Sequence, residues 1–336
     1  MAAWVRKTRK SEELIVASDS RVTGGIALNH APKIFPLQRS DAVMAYCGPT
    51  LVAYPILLQV KASLDAHDET RNRVVDIIHL KAHIEKTIER VRARIRGLPT
   101  NDDTHRSFKF LLAGYSWKLS RFKVWTFRYD IQTREFNAYS MPRNDQYIFM
   151  SDSHANELRA RDELRRRVFR NPIGIRNEVD WEPLKVLISI IEDRESDDIG
   201  GPPQMVKIYR HANTLPVNVL WPEDKTEEGL NVRTYEINHL GRPLLGYEKT
   251  SLLTLDPVIW EFVEPWNVRE HAKIYNDCED FKLRQRLRAR VATLLAWNRD
   301  RIALQDRLTL MLKEKRDFAD ISAVMRAAQE NAAAAK

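Results

Sequence analysis

His79 and His83 are four residues apart, so a helix would set both on one face, as two ligands of a metal can be, with Asp76 adding a carboxylate about a turn earlier. Leu80 stands where an HExxH pattern has glutamate, and no third ligand is identifiable, so a polar helix face against solvent or a neighbouring subunit is the competing reading. Cys47 closes an apolar stretch and could be a reactive thiol, but no base lies near it in sequence; a small buried hydrophobe is the simpler role. Asp19 ends another apolar stretch, where it could do chemistry or accept backbone N–H groups at a turn. Lys33 taken alone reads as a solvated lysine. Arg159, Arg161, Arg165, Arg166, Arg167 and Arg170, and again Arg284, Arg286, Arg288 and Arg290, could neutralise phosphates. Asp162, Glu163, Glu279 and Asp280 interrupt or flank them, and alternate arginines point round a helix, so a salt-bridged surface competes and a nucleic-acid partner is not expected.

Elements must hold these residues in place. The chain has 336 residues, enough for about two folding units, and 43% hydrophobic content supports a core. No apolar run approaches the roughly 20 residues of a membrane span, so no membrane partner is expected. Two cysteines, Cys47 and Cys278, exclude a disulfide scaffold or structural zinc cluster. The opening Met-Ala-Ala-Trp-Val-Arg-Lys lacks an apolar leader, and the expected location is cytoplasmic. The pattern predicts a hairpin of 4–8 with 14–17, strands through 33–35 and 41–47, and helices over 51–66 and from Ile77 to Ile95. Strands over 108–115, 122–129, 134–140 and 146–150 read as a meander. Helices over 155–169 and 183–191 follow, then strands 205–209 and 217–220. Strands, helix pair, strands, helix pair, strands is the order expected of antiparallel sheets covered by helix pairs.

Within that order, Val16-Ala17-Ser18-Asp19-Ser20-Arg21 resembles the A-x-D-S-R strand end of proteasome β-type subunits and bacterial proteasome-related peptidases. Lys33-Ile34-Phe35 is similar to their K-I-F segment, and Cys47-Gly48 to the small-Gly turn opening their first helix. Ala113-Gly114-Tyr115 resembles their Gly-containing strand, and Gly200-Gly201 their late Gly-Gly turn. The resemblance implies an α+β fold, a four-layer αββα sandwich of two antiparallel sheets of the N-terminal nucleophile hydrolase type, over residues 1–222. It also implies a threonine-type peptidase subunit in a homo-oligomer, acting on peptide or protein substrates without metal or cofactor. In such a subunit an N-terminal threonine hydroxyl attacks the peptide carbonyl, and its own amine, with an ordinary pKa of about 7.7–8.0, takes the proton. Carried over, Lys33 favours the developing alkoxide, Asp19 orients that lysine, and Arg21 is their structural partner. Gly48 or Cys47 supplies the oxyanion N–H, and Ser151 supports the terminal amine.

Counting back from Asp19 sets the nucleophile at residue 2 or 3, where Ala2 and Ala3 offer no hydroxyl. Thr8 and Ser11 are the nearest hydroxyls, inside the expected hairpin. The family's Asp-x-x-Ser run before the late Gly-Gly turn corresponds to Ser196-Asp197-Asp198-Ile199; the serine is lost and Asp197 stands in for the aspartate. The expectation is a peptidase-type subunit inactive as written, the alternative a structural or adaptor subunit of the same fold, and a weaker alternative a nucleic-acid-associated protein using the basic helices. Residues 223–265 read as a linker with a strand extension and 266–336 as a helical module, with stripes Leu283–Leu295 and Leu304–Leu312 that could pack on the core, on each other or on a partner. Residues 267–336 hold 15 Lys and Arg against 10 Asp and Glu, five of the net +8 charges, so the basicity concerns the tail's partner rather than the chemistry.

Overall fold

The computed structural model describes residues 1–7, 12–24, 26–99, 101–141, 146–169, 179–193, 198–227 and 230–243. Thr8, Ser11, Asp197, Cys278 and the expected helical module 266–336 lie outside the described residues. The chain divides into two units, Met1–Val219 with Asn238–Pro243, and Leu220–Ile237 with Leu244–Lys336.

Short unbroken apolar runs, buried on both faces, build two antiparallel sheets. β1 (Ala2–Lys7) and β2 (Glu12–Ser18) form the expected hairpin, with Ala2 opposite Ala17 and Lys7 opposite Glu12. β3 (Val22–Thr23) and β4 (Ala27–Leu28) make a small separate ladder. β5 (Ile34–Pro36), β6 (Ala42–Cys47), β7 (Lys109–Ser116), β8 (Arg121–Asp130) and β9 (Glu135–Ser140) make a five-stranded sheet in that order. The remaining strands are β10 (Tyr147–Phe149), β11 (Gln204–Tyr209), β12 (Thr214–Glu227), β13 (Leu230–His239) and β14 (Arg242–Pro243). With the first hairpin they give the order β10-β1-β2-β11-β12-β13-β14. The polar run after Trp221, which reads as a linker, continues β12 to Glu227.

β10 departs from the expected meander. It does not follow β9 in the five-stranded sheet but lies against β1, pairing Phe149 with Ala2 and Tyr147 with Trp4. Strand propensity says which segment extends, not which sheet edge it joins. Here Val5 N donates to Gln146 O (2.7 Å) and Met150 N to Met1 O (3.0 Å), which satisfies that edge of β1 and brings Ser151 to the start of the chain.

The helices are α1 (Thr50–Ala66), α2 (Asp68–Arg71), α3 (Ile77–Arg92), α4 (Asp102–Arg106), α5 (His154–Phe169) and α6 (Glu182–Asp193). Ile77, Leu80, Ile84 and Ile88 of α3, spaced three and four apart, are buried with Ile56, Leu57 and Val60 of α1 against Met44, Phe110 and Phe127 of the five-stranded sheet. The opposite faces of those strands, Val43, Ala45, Leu111 and Ala113, pack on Ala3, Leu14, Val16, Val206 and Ile208 of the other sheet. Beyond that sheet, Trp4 of β1 is fully buried, with its ring 6.2 Å from Trp181 and its Nε1 donating to Asp180 O (2.7 Å) just ahead of α6. Each such buried side chain contributes about 1.5–3 kcal/mol by leaving water.

Asp76 caps α3. Its carboxylate accepts from Ile78 N (3.0 Å), from Lys118 N (3.0 Å) and, through both oxygens, from Ser116 Oγ (3.0 and 3.1 Å). It is a buried brace between α3 and the β7–β8 turn. His79 Nε2 lies 3.0 Å from Lys118 Nζ, whereas His83 Nε2 lies 2.7 Å from Ser63 Oγ, so the two histidines take different partners. Among the described residues no group of three or more His, Cys, Asp or Glu could hold a metal ion. No helix among them is long and apolar enough to cross a membrane.

Candidate active site

Strand ends bring the predicted site residues together. Asp19 follows β2, Lys33 precedes β5, Cys47 ends β6, Gly48 lies between β6 and α1, and Ser151 follows β10. With Met1 and Arg21 they line one cleft of about 450 Å³. Lys33 Nζ donates to both oxygens of Asp19 at 2.9 Å each, and both side chains are buried. Ser18 Oγ (3.3 Å) and the N–H groups of Arg21 (3.2 Å) and Gly200 (3.3 Å) also donate to that carboxylate. An ammonium held in this way keeps a positive charge at the cleft wall, where it can favour an oxyanion or alkoxide beside it.

The backbone around the pair is tightly constrained. Gly48 has φ +103°, and a Cβ there would stand 2.2 Å from Ser107 O, so only glycine fits between the end of β6 and the start of α1. Arg21 donates through Nε to Asn29 Oδ1 (2.7 Å), and its guanidinium lies over Gly200, where a Cβ would be 2.4 Å from Cζ. Ser151 Oγ donates to Asp152 Oδ1 (2.8 Å). Asp198, at the same cleft, accepts from Thr23 Oγ1 (2.8 Å).

Ala2 and Ala3 lie inside β1, both buried, and border no part of the cleft; the residue of that strand's approach that does so is Met1. The register sets this arrangement. Alternate residues of β1 face opposite ways, with Met1, Ala3 and Val5 towards the core between the sheets and Trp4 towards Trp181. Burial holds the Met1 amine below its ordinary value, against an opposing pull from Asp19. Burial also pushes the Cys47 thiol up to about 12, with Lys109 opposing it. Cys47 therefore stays a protonated thiol, and the thiolate that nucleophilic attack needs is not formed near neutral pH.

Gln204 was not among the residues that sequence reasoning singled out. Fully buried at the start of β11, its Oε1 accepts from the N–H groups of Lys33 (2.9 Å) and Ile34 (3.1 Å), and its Nε2 donates to the carbonyls of Asp19 (2.9 Å) and Ala31 (3.1 Å). One amide thus ties the backbone of Asp19 to that of Lys33. The available signal was a polar residue heading an apolar strand, since a buried amide must be hydrogen-bonded. The α5 arginines are largely matched by acids: Arg166 and Arg167 pair with Glu163 (3.0 and 2.8 Å), Arg165 approaches Asp162 at 3.6 Å, and Arg159 pairs with Asp193.

Among solved structures, the chain is similar to "Anbu (ancestral beta-subunit) from Yersinia bercovieri" at 15% identity, over 64% of this chain and 87% of that one, with a TM-score of 0.45. No family model and no curated protein matches the chain.

Proposed function

We propose that the first unit is a four-layer αββα sandwich of the N-terminal nucleophile hydrolase type, and that its cleft is the peptide site of a threonine-type peptidase subunit lacking its nucleophile. One observation carries the reading: Lys33 Nζ, held by both oxygens of Asp19 at 2.9 Å, in a cleft that Met1 also lines. In this reading Lys33 supplies positive charge to an attacking oxygen, Asp19 orients it, and the backbone at Gly48 faces the oxyanion. Met1, Ala2 and Ala3 carry no hydroxyl, so a bound peptide is held and not cleaved. A cytoplasmic location and a homo-oligomeric assembly belong to the same proposal.

A structural or adaptor subunit of the same fold is the second reading. It is favoured by Ile26 and Leu51, which are 82% and 83% exposed and follow closely on the cleft-lining Gly24 and Thr50. The residues 266–336 would then bind the partner.

The two readings separate by restoring the nucleophile. Met1→Thr, Ala2→Thr and Ala3→Thr are each made behind a removable tag, so that cleavage leaves threonine with a free amine. Met1→Thr is expected to hydrolyse fluorogenic peptides, and adding Lys33→Ala to abolish that activity. Silence in all three registers sinks the peptidase-type reading and leaves the adaptor.

A further inference from the structure

A second cavity, of about 560 Å³, opens beside the first. Ser107, Asp152 and Glu157 line both, so the two cavities are neighbours on either side of a shared wall. In that wall Glu157 Oε1 accepts from Lys109 Nζ (2.7 Å) and Ser151 N (3.1 Å), and the buried lysine and glutamate cancel each other's charge. Asp152 Oδ1 is taken up by Ser151 Oγ and Ser153 N, both at 2.8 Å, ahead of α5. Asp103 is exposed in the first turn of α4.

Two guanidinium groups in the second cavity are not matched in this way. Arg128 donates through Nε to Thr126 Oγ1 at 3.2 Å and is ion-paired with Glu157, but its Nη1 stands 3.6 Å from Oε2, so the pair leaves its Nη N–H groups open as hydrogen-bond donors. Arg106 has no hydrogen-bond or ion-pair partner among the described residues. Planar forks with open N–H donors match the paired oxygens of a carboxylate.

We infer that the second cavity is a carboxylate subsite, holding the acidic group of a peptide whose neighbouring residues lie in the first cleft. The anion is assigned by Arg106 and Arg128; the peptide attached to it rests on the reading of the first cleft proposed above. The shared wall sets the two cavities side by side, so that one peptide reaching past it would occupy both.

The test is calorimetric titration of the full-length chain with four probes: a hexapeptide with a free C-terminus, its C-terminal amide, the same amide ending in glutamate, and glutarate. At least one of the two acidic peptides is expected to bind about tenfold tighter than the plain amide, the worth of one charge-assisted contact. Whichever acid binds tighter identifies the terminus or the side chain as the source of the carboxylate. The paired change Arg106→Gln with Arg128→Gln is expected to close the gap to less than about twofold. Arg128→Lys, which keeps the charge and loses the fork, gives an intermediate gap and covers a paired variant that fails to fold. Glutarate bound through the arginines with no peptide bound upholds the subsite and removes the peptide reading of the first cleft. Peptides that bind without regard to their carboxylates overturn the subsite and leave the first cleft's reading intact. No binding of any probe, or glutarate binding that ignores the arginines, overturns the subsite.

Discussion

Asp19 and Asp76 are both buried carboxylates, 5% and 0% exposed, and the structure uses them in opposite ways. Asp76 accepts from two backbone N–H groups and the Ser116 hydroxyl, all neutral donors on fixed elements, and it borders neither cavity described above. Its charge is neutralised by oriented dipoles, and the result is a joint between α3 and the β7–β8 turn. Asp19 instead holds an ammonium, and both groups border a void. A carboxylate met by backbone dipoles has nothing left to offer a ligand. One met by a lysine beside a cleft keeps a positive charge in place for whatever enters. Burial alone does not separate a joint from a site; the partner and the adjacent space do.

The largest expected effect tests whether the Asp19 region is braced as firmly as the Asp76 region. Gln204→Leu would orphan the N–H groups of Lys33 and Ile34 and the carbonyls of Asp19 and Ala31. At roughly 1 kcal/mol for each unsatisfied buried group, the loss should be about 4 kcal/mol, read as a fall in denaturation midpoint at unchanged m-value. A loss below about 1 kcal/mol would mean that Gln204 is not the brace. Asp76→Ala removes the acceptor for three donors and should lose about 3 kcal/mol, while Asp76→Asn, which keeps an acceptor, should recover more than half. If Asp76→Ala behaves like a surface substitution, the contrast with Asp19 collapses.

Lys33→Met comes next, at about 2 kcal/mol, because Asp19 keeps its donors from Ser18, Arg21 and Gly200 and the cleft admits water. Asp19→Asn with Lys33→Met should be less damaging than the sum of the single changes, by a coupling of about 1 kcal/mol in a double-mutant cycle. Additive losses would show that the pair is two independent residues.

Much of this architecture was legible in the sequence. The unbroken apolar run Ala42–Cys47, buried on both faces, and the three-four spacing of Ile77, Leu80, Ile84 and Ile88, buried on one, are such signals, and they placed most elements to within a few residues. Asp19, Arg21, Lys33, Gly48 and Ser151, singled out by motif order, all line one cleft. Three features were not legible in the sequence. Counting back from Asp19 treats the hairpin as a ruler, but the ladder that pairs Lys7 with Glu12 leaves Met1, not Ala2, at the cleft. β10 joined the other sheet because edge choice is a tertiary matter. Gln204, and Asp76 apart from its local cap bond to Ile78 N, act through partners more than 35 residues away in sequence, which no local pattern encodes.

The smallest expected effect concerns the wall between the cavities. Glu157 lies below its ordinary value of 4.5: burial raises it, and the hydrogen bond and charge of Lys109, the Ser151 N–H and the Arg128 charge outweigh burial. A carboxyl depressed in the folded state binds its proton more readily when unfolded. Its contribution is therefore present above about pH 4.5 and is lost as pH falls through the lower folded value. Melting temperatures at pH 7 and pH 3.5 should then fall further for the native chain than for Glu157→Gln, which has no proton to gain. Because the glutamate and its lysine are both buried, the difference reports on that wall rather than on surface charge. A Glu157→Gln chain that loses as much on acidification as the native one would show that Lys109 holds Glu157 no better than water does. The contrast between a neutralised wall and the guanidinium donors beside it would then need redrawing.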